Sequence, residues 1–122
     1  MNNRLLIATN NPKKFKELKE LLTDLPVQLL SLNDFQNVIE VEEDGKSFKE
    51  NAEKKAFGFA KQTACLVLAD DSGLTIDYLK GEPGIYSARF AGPEKDDIKN
   101  CEKVIHLLKG VPPQDRSAAF RC

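Results

Sequence analysis

Three short strand-length runs, the first and last continuously apolar, each cut off by a polar turn and separated by helix-patterned stretches, constrain this chain more than anything else in it. Leu5–Ala8, Val27–Leu32 and Leu66–Ala69 are the runs. Each is too brief for a stable helix and has the length of a buried strand. Between the first two, Phe15, Leu18, Leu21 and Leu22 recur on one helical face. Asn11 suits the N-cap there, and Pro12 suits the first helical position, where its missing N–H costs nothing. Between the second and third, Ser47-Phe48-Lys49-Glu50 reads as a capping box. It opens a helix with a stripe of Phe48, Ala52, Ala56, Phe59 and Ala60. Strands alternating with helices point to an α/β architecture.

The later half is less regular. Leu74, Ile76 and Tyr78 alternate as in a strand with one face buried, and residues 81–92 read as a loop rich in Gly, Pro and aromatics. A third helix is expected from about Asp96, turning Ile98, Cys101, Val104, Ile105 and Leu108 inward and stopping at Gly110. Ala118, Phe120 and Cys122 then alternate with polar neighbours as a strand just beginning. A stop in mid-strand leads to the expectation of a single domain, 1–122, truncated at its C-terminus.

Composition excludes several classes. A formal net charge of −1 argues against a general nucleic-acid or anionic-membrane binder, which needs an excess of Lys and Arg. The first residues hold no long apolar run with a cleavage site, and no later segment approaches membrane-spanning length. Cys65, Cys101 and Cys122 match neither a zinc pattern nor a disulfide framework, so reduced thiols in the cytoplasm are expected.

Three constellations hold chemistry-bearing residues. Thr9-Asn10-Asn11-Pro12-Lys13-Lys14 joins the first strand to the first helix, where free N–H groups and the helix dipole favour phosphate. It lacks the P-loop pattern, and taken alone it reads as an ordinary capped turn with solvated lysines. Asp70-Asp71-Ser72-Gly73 ends the third run, and two adjacent carboxylates on a tight turn repel each other unless a cation joins them. The carboxyl end of a strand in an open α/β sheet is also a common ligand site; the plainer alternative is a polar turn capped by one Asp. Glu42-Glu43-Asp44-Gly45 precedes the second helix, on which Asn51 and Lys55 share a face one turn apart. That face reads either as a donor and a cation aimed at phosphate or as two residues in water. His106 reads as a flank or surface residue, and Arg89 as either a loop residue reaching the site or the partner of a local carboxylate.

In order and spacing these stretches resemble the inosine/xanthosine triphosphate pyrophosphatase family. The matching segments run from Leu6-Ile7-Ala8-Thr9-Asn10-Asn11-Pro12-Lys13-Lys14 through Glu43-Asp44-Gly45-Lys46-Ser47-Phe48-Lys49-Glu50-Asn51-Ala52 to Ala69-Asp70-Asp71-Ser72-Gly73-Leu74. Pro83-Gly84-Ile85-Tyr86-Ser87-Ala88-Arg89-Phe90-Ala91-Gly92 and Arg116-Ser117-Ala118-Ala119-Phe120-Arg121-Cys122 complete the series. The resemblance implies an elongated mixed β-sheet flanked by helices, a homodimer, Mg²⁺ as cofactor, and hydrolysis of ITP, dITP and XTP to the monophosphate and pyrophosphate. It implies that Thr9, Asn10, Asn11, Pro12, Lys13 and Lys14 bind the triphosphate with Asn51 and Lys55, and that Ser72 contacts substrate. Asp71 would be proton acceptor and metal ligand, Asp70 would support the metal, and the glutamate ligand falls on Glu42 or Glu43. The family's Phe-Gly-Tyr-Asp-Pro loop and Ser-His-Arg motif do not occur here. The base-gripping part and much of the activity are therefore expected to be missing. The rival readings are a Maf-like pyrophosphatase of other nucleotides and a non-catalytic nucleotide-binding or oligomerisation module.

Overall fold

The computed structural model describes residues 3–122. Its contacts separate into two compact units, Met1–Asp70 and Asp71–Cys122.

The first unit is built on a three-stranded parallel sheet of order β2-β1-β3, where β1 is Arg4–Ile7, β2 Gln28–Ser31 and β3 Leu66–Leu68. Two helices connect the strands, α1 over Pro12–Leu21 and α2 over Phe48–Thr63. Leu6, Ile7 and Ala8 are all buried. Successive strand residues point to opposite faces, so both faces of the central strand are covered, as a parallel sheet requires. On one face Leu6 and Ala8 pack with Phe59 of α2 and with Cys65, flanked by Leu30, Val41 and Val67. The outer strand is less enclosed than a continuous apolar run implies, since Leu66 and Leu68 are exposed.

Both expected caps of this unit form. Asn11 Oδ1 accepts from Lys13 N–H and Lys14 N–H at 3.0 and 3.3 Å. Ser47 Oγ accepts from Glu50 N–H at 3.1 Å, but the return bond lands one residue early, from Lys46 N–H to Glu50 Oε2 at 2.7 Å. The α2 stripe of Phe48, Ala52, Ala56, Phe59 and Ala60 is wholly buried or half-buried. The α1 stripe is shallower: Phe15, Leu18 and Leu22 are half-buried, whereas Leu21 is exposed.

The second unit pairs β4, Gly73–Ile76, antiparallel with β5, Ala118–Arg121, and carries one helix, α3, over Asp97–Leu107. Parallel and antiparallel pairing thus both occur in an α/β arrangement. The strand expected to reach Tyr78 ends at Ile76, because Asp77–Leu79 turns into a 3₁₀ helix and leaves Tyr78 exposed. The expected loop over 81–92 contains a second 3₁₀ helix, Gly84–Arg89. Asp96 caps α3 through Lys99 N–H, and the chain leaves that helix through Gly110 at φ +81°. Only the end of the α3 stripe faces inward as expected, with Leu108 buried beside Ile76 and Val111 and with Val104 against them. Ile98, Cys101 and Ile105 lie on the exposed side instead. The inward position that the apolar pattern misses belongs to Asn100. Its Oδ1 accepts from Ala91 N–H and its Nδ2 donates to the Ala88 carbonyl, both at 2.8 Å, which ties the 3₁₀ segment to the helix.

Candidate functional site

Parallel strands end on the same edge, so the turn after β1 and the residues after β3 are neighbours. Ala8 N–H donates to the Leu68 carbonyl at 2.9 Å and extends the ladder to that edge. In the order β2-β1-β3 the chain moves from β1 to one side, then crosses to the other. The carboxyl edge between β1 and β3 is thus a topological switch point, where open α/β sheets bind ligands. Lys14 reaches across it: its Nζ lies 2.6 Å from Asp70 Oδ2, with the side chains 32% and 24% exposed. The first and second constellations of the sequence therefore meet through a direct ion pair.

The turn itself is internally satisfied. Asn11 N–H donates to Thr9 Oγ1 at 3.1 Å, and the Asn11 side chain holds the next two N–H groups. The backbone donors expected to receive phosphate are thus taken by Thr9 and Asn11, and the charge of this turn resides in Lys13 and Lys14. Pro12 occupies the first helical position. Asn10 and Lys13 are exposed and Thr9 is half-buried.

The acidic segment is not a free loop. Three contacts clamp it along α2. Gln62 accepts from Ile39 N–H at 2.7 Å and donates to the Ile39 carbonyl at 2.8 Å. Gly58 leaves space for Val41, whose Cγ2 would lie 2.5 Å from a Cβ at that position. Asn51, fully buried, accepts from Gly45 N–H through Oδ1 at 2.7 Å. Through that oxygen Asn51 holds the loop that carries Glu42, Glu43 and Asp44. Its Oδ1 has no room for a further substituent on Gly45, whose Cβ would approach it to 2.7 Å.

That clamping separates the two glutamates. Glu43 is half-buried and pairs with Lys55, Nζ to Oε1 at 2.8 Å. Glu42 is exposed and lines an open groove with Asp44, Lys54 and Phe57. Asp44 bonds Lys54 directly. That hydrogen bond, with the lysine's charge, holds the Asp44 carboxyl below its usual range and raises the Lys54 ammonium above its own. In the second unit Asp71 and Ser72 are half-buried at the entrance to β4. His106 is exposed, and Arg89 stacks over the Tyr86 ring at 5.4 Å to its centroid.

Among the described residues no three His, Cys, Asp or Glu side chains form a ready metal cluster. The half-buried carboxylates of Glu43 and Asp70 are nonetheless hard oxygen donors, each with an ammonium group against it. Carboxylate oxygens are the kind of donor that hard divalent cations take, one or two to an ion, with water and phosphate oxygens completing the shell. The three cysteines are free, and no helix among the described residues is long and apolar enough to cross a membrane.

The chain is similar to known proteins both in sequence and in fold. A dITP/XTP pyrophosphatase of Desulforamulus reducens is 55% identical over 119 residues, 98% of this chain and 59% of that protein. The Bacillus subtilis dITP/XTP pyrophosphatase is 50% identical over 96% of this chain and 59% of its own length. The chain thus spans less than two thirds of the relatives it matches. Among solved structures, the HAM1 protein from Coxiella burnetii superposes with a TM-score of 0.85 at 42% identity, covering 96% of this chain and 59% of that one. The Ham1 protein of Staphylococcus aureus gives 0.81 at 40% identity, over the same shares. A profile described as the Ham1 family matches residues 5–122, almost the whole sequence, and the chain belongs to that family.

Proposed function

We propose that this chain carries the phosphate and metal side of a nucleoside triphosphate pyrophosphatase that acts on deaminated purine nucleotides, dITP, ITP and XTP. The observation that carries the reading is the Lys14–Asp70 pair at the switch point of the sheet, a cation and a carboxylate held where a nucleotide would lie. The names of the relatives, dITP/XTP pyrophosphatases, supply the substrate class.

In this reading Lys13, Lys14 and Lys55 bind the triphosphate, and Thr9 and Asn10 contribute a hydroxyl and an amide at the turn. Asn11 and Pro12 shape the turn that presents the lysines. Glu43 and Asp70 hold Mg²⁺, with Asn51 fixing the loop that carries Glu43; the pairing with Lys55 favours Glu43 over Glu42. Bound Mg²⁺ neutralises phosphate charge and makes pyrophosphate a better leaving group. Asp71, the next residue after Asp70, accepts the proton of the attacking water, and Ser72 contacts substrate. The water oxygen bonds to the α-phosphorus, the bond to the bridging oxygen breaks, and the products are a nucleoside monophosphate and pyrophosphate. A homodimer and a cytoplasmic setting belong to the same reading, supported by the resemblance and by three free thiols. A net charge of −1 argues against a nucleic acid or a membrane as partner and is compatible with a nucleotide, which needs only a few local cations.

Product analysis tests the proposal. With Mg²⁺ and dITP the expected products are dIMP and pyrophosphate in equal amounts, formed more slowly than by a full-length relative and lost on chelation of the metal. Preference for dTTP or UTP would favour a Maf-like activity. Nucleotide binding with no pyrophosphate released would make this chain a binding module.

A further inference from the structure

We propose that Lys14 and Lys55 are resident counter-ions of Asp70 and Glu43, excluding a bare divalent cation and yielding the carboxylates only when phosphate draws the two ammonium groups away. This rests on the phosphate-and-metal reading given above and adds an order of events to it.

Two of the expected metal carboxylates, Asp70 and Glu43, have a lysine in direct contact, at 2.6 and 2.8 Å, and in neither pair is a side chain more than a third exposed. Such a pair is screened far less than one in open water. By contrast Lys49–Glu53 spans 4.0 Å with both side chains largely exposed, the geometry of a weak surface pair. A divalent cation approaching Asp70 or Glu43 meets a neighbouring positive charge at close range, a repulsion added to the cost of its own dehydration. A triphosphate removes that obstacle. It offers each ammonium group new anionic partners, and the carboxylates it frees become available to the metal.

The two pairs also clamp different parts of the first unit. One ties α1 to Asp70, two residues after β3, and the other ties the acidic loop to α2. Exchange of partners at both would couple metal and phosphate binding with positive sign, each raising the other's affinity.

The signature is that one substitution moves two affinities in opposite directions. Bare Mn²⁺ binding, read from the electron paramagnetic resonance of free Mn²⁺ without nucleotide, should tighten by about tenfold in Lys14→Met and in Lys55→Met. Inorganic tripolyphosphate binding, measured by calorimetry in chelator, should weaken by about tenfold in the same proteins. Lys16→Met removes an equal charge from an exposed position of the same helix, and should change Mn²⁺ binding by less than about threefold. Lys14→Gln and Lys55→Gln keep a donor for the carboxylate without the charge, and should move both affinities in the same directions as the Met variants.

Mn²⁺ binding that is unchanged or weaker in the Lys14 and Lys55 variants overturns the exchange, as does a Lys16→Met effect of equal size. If tripolyphosphate binding falls while Mn²⁺ binding stays constant, the exchange is wrong and the phosphate reading stands. If the unmodified chain binds neither tripolyphosphate nor Mn²⁺ with dITP, the underlying reading fails and the exchange fails with it.

Discussion

Replacing Gly73 with alanine should cost about 3 kcal/mol of stability, a large share of the roughly 5–15 kcal/mol available to a domain of this size. A Cβ at this position would lie 2.3 Å from the Gly84 carbonyl oxygen and 2.5 Å from Ser87 Oγ. Neither neighbour yields easily. The carbonyl is backbone, and Ser87 Oγ is fixed by two bonds, donating to that carbonyl at 2.6 Å and accepting from Leu74 N–H at 2.9 Å. Relief would need either a shift of β4 from the 3₁₀ segment or loss of both Ser87 bonds, each worth about 1 kcal/mol. Gly73 is required here for close approach; its φ is not among the positive ones. Urea denaturation should show a lower midpoint at unchanged slope. A loss below about 1 kcal/mol would mean that the strand and the segment are not packed this closely.

A comparable effect, with a functional consequence, is expected for Asn51→Leu. Leucine keeps the branched, four-heavy-atom outline of asparagine, though it is bulkier, and leaves the buried Gly45 N–H without its acceptor. An orphaned buried donor costs about 1–3 kcal/mol. The Gly45 amide should then exchange with solvent at least about tenfold faster, because the end of the acidic loop is released from α2. Glu43 would lose its fixed approach to Lys55, so affinity for Mg²⁺ with nucleotide should fall along with stability. Unchanged protection of Gly45 would assign the loop's placement to Gln62 and Val41 instead.

Much of the first unit was legible because its signals are local. Asn11-Pro12 and Ser47 through Glu50 mark helix starts by side-chain chemistry within four residues, and both caps form. The continuous run at Leu5–Ala8 announced a strand covered on both faces, and Leu6, Ile7 and Ala8 are buried. Features that depend on which strands are neighbours were not legible. Lys14 and Asp70 are 56 residues apart and meet only because β3 lies beside β1. Asn51 looked like one of a polar pair on a helix face, because nothing in its own turn reveals that residues 39–45 fold back along α2.

The third helix shows the converse. Its apolar pattern was real, yet Ile98 and Ile105 face outward while the polar Asn100 is buried. Two backbone groups of the preceding segment supply Asn100 with partners, and no period in the sequence encodes them. Sequence adjacency brings Asp71 next to Asp70, and the role assigned to it rests on the family resemblance.

An amide-resolved NMR titration of the chain with Mg²⁺ and dITP tests the central claim most directly. The account predicts saturable shifts concentrated on residues 9–14, on Glu43 and Lys55, and on residues 70–72. Saturation elsewhere with those amides unmoved would contradict it, as would the absence of any shift at millimolar nucleotide.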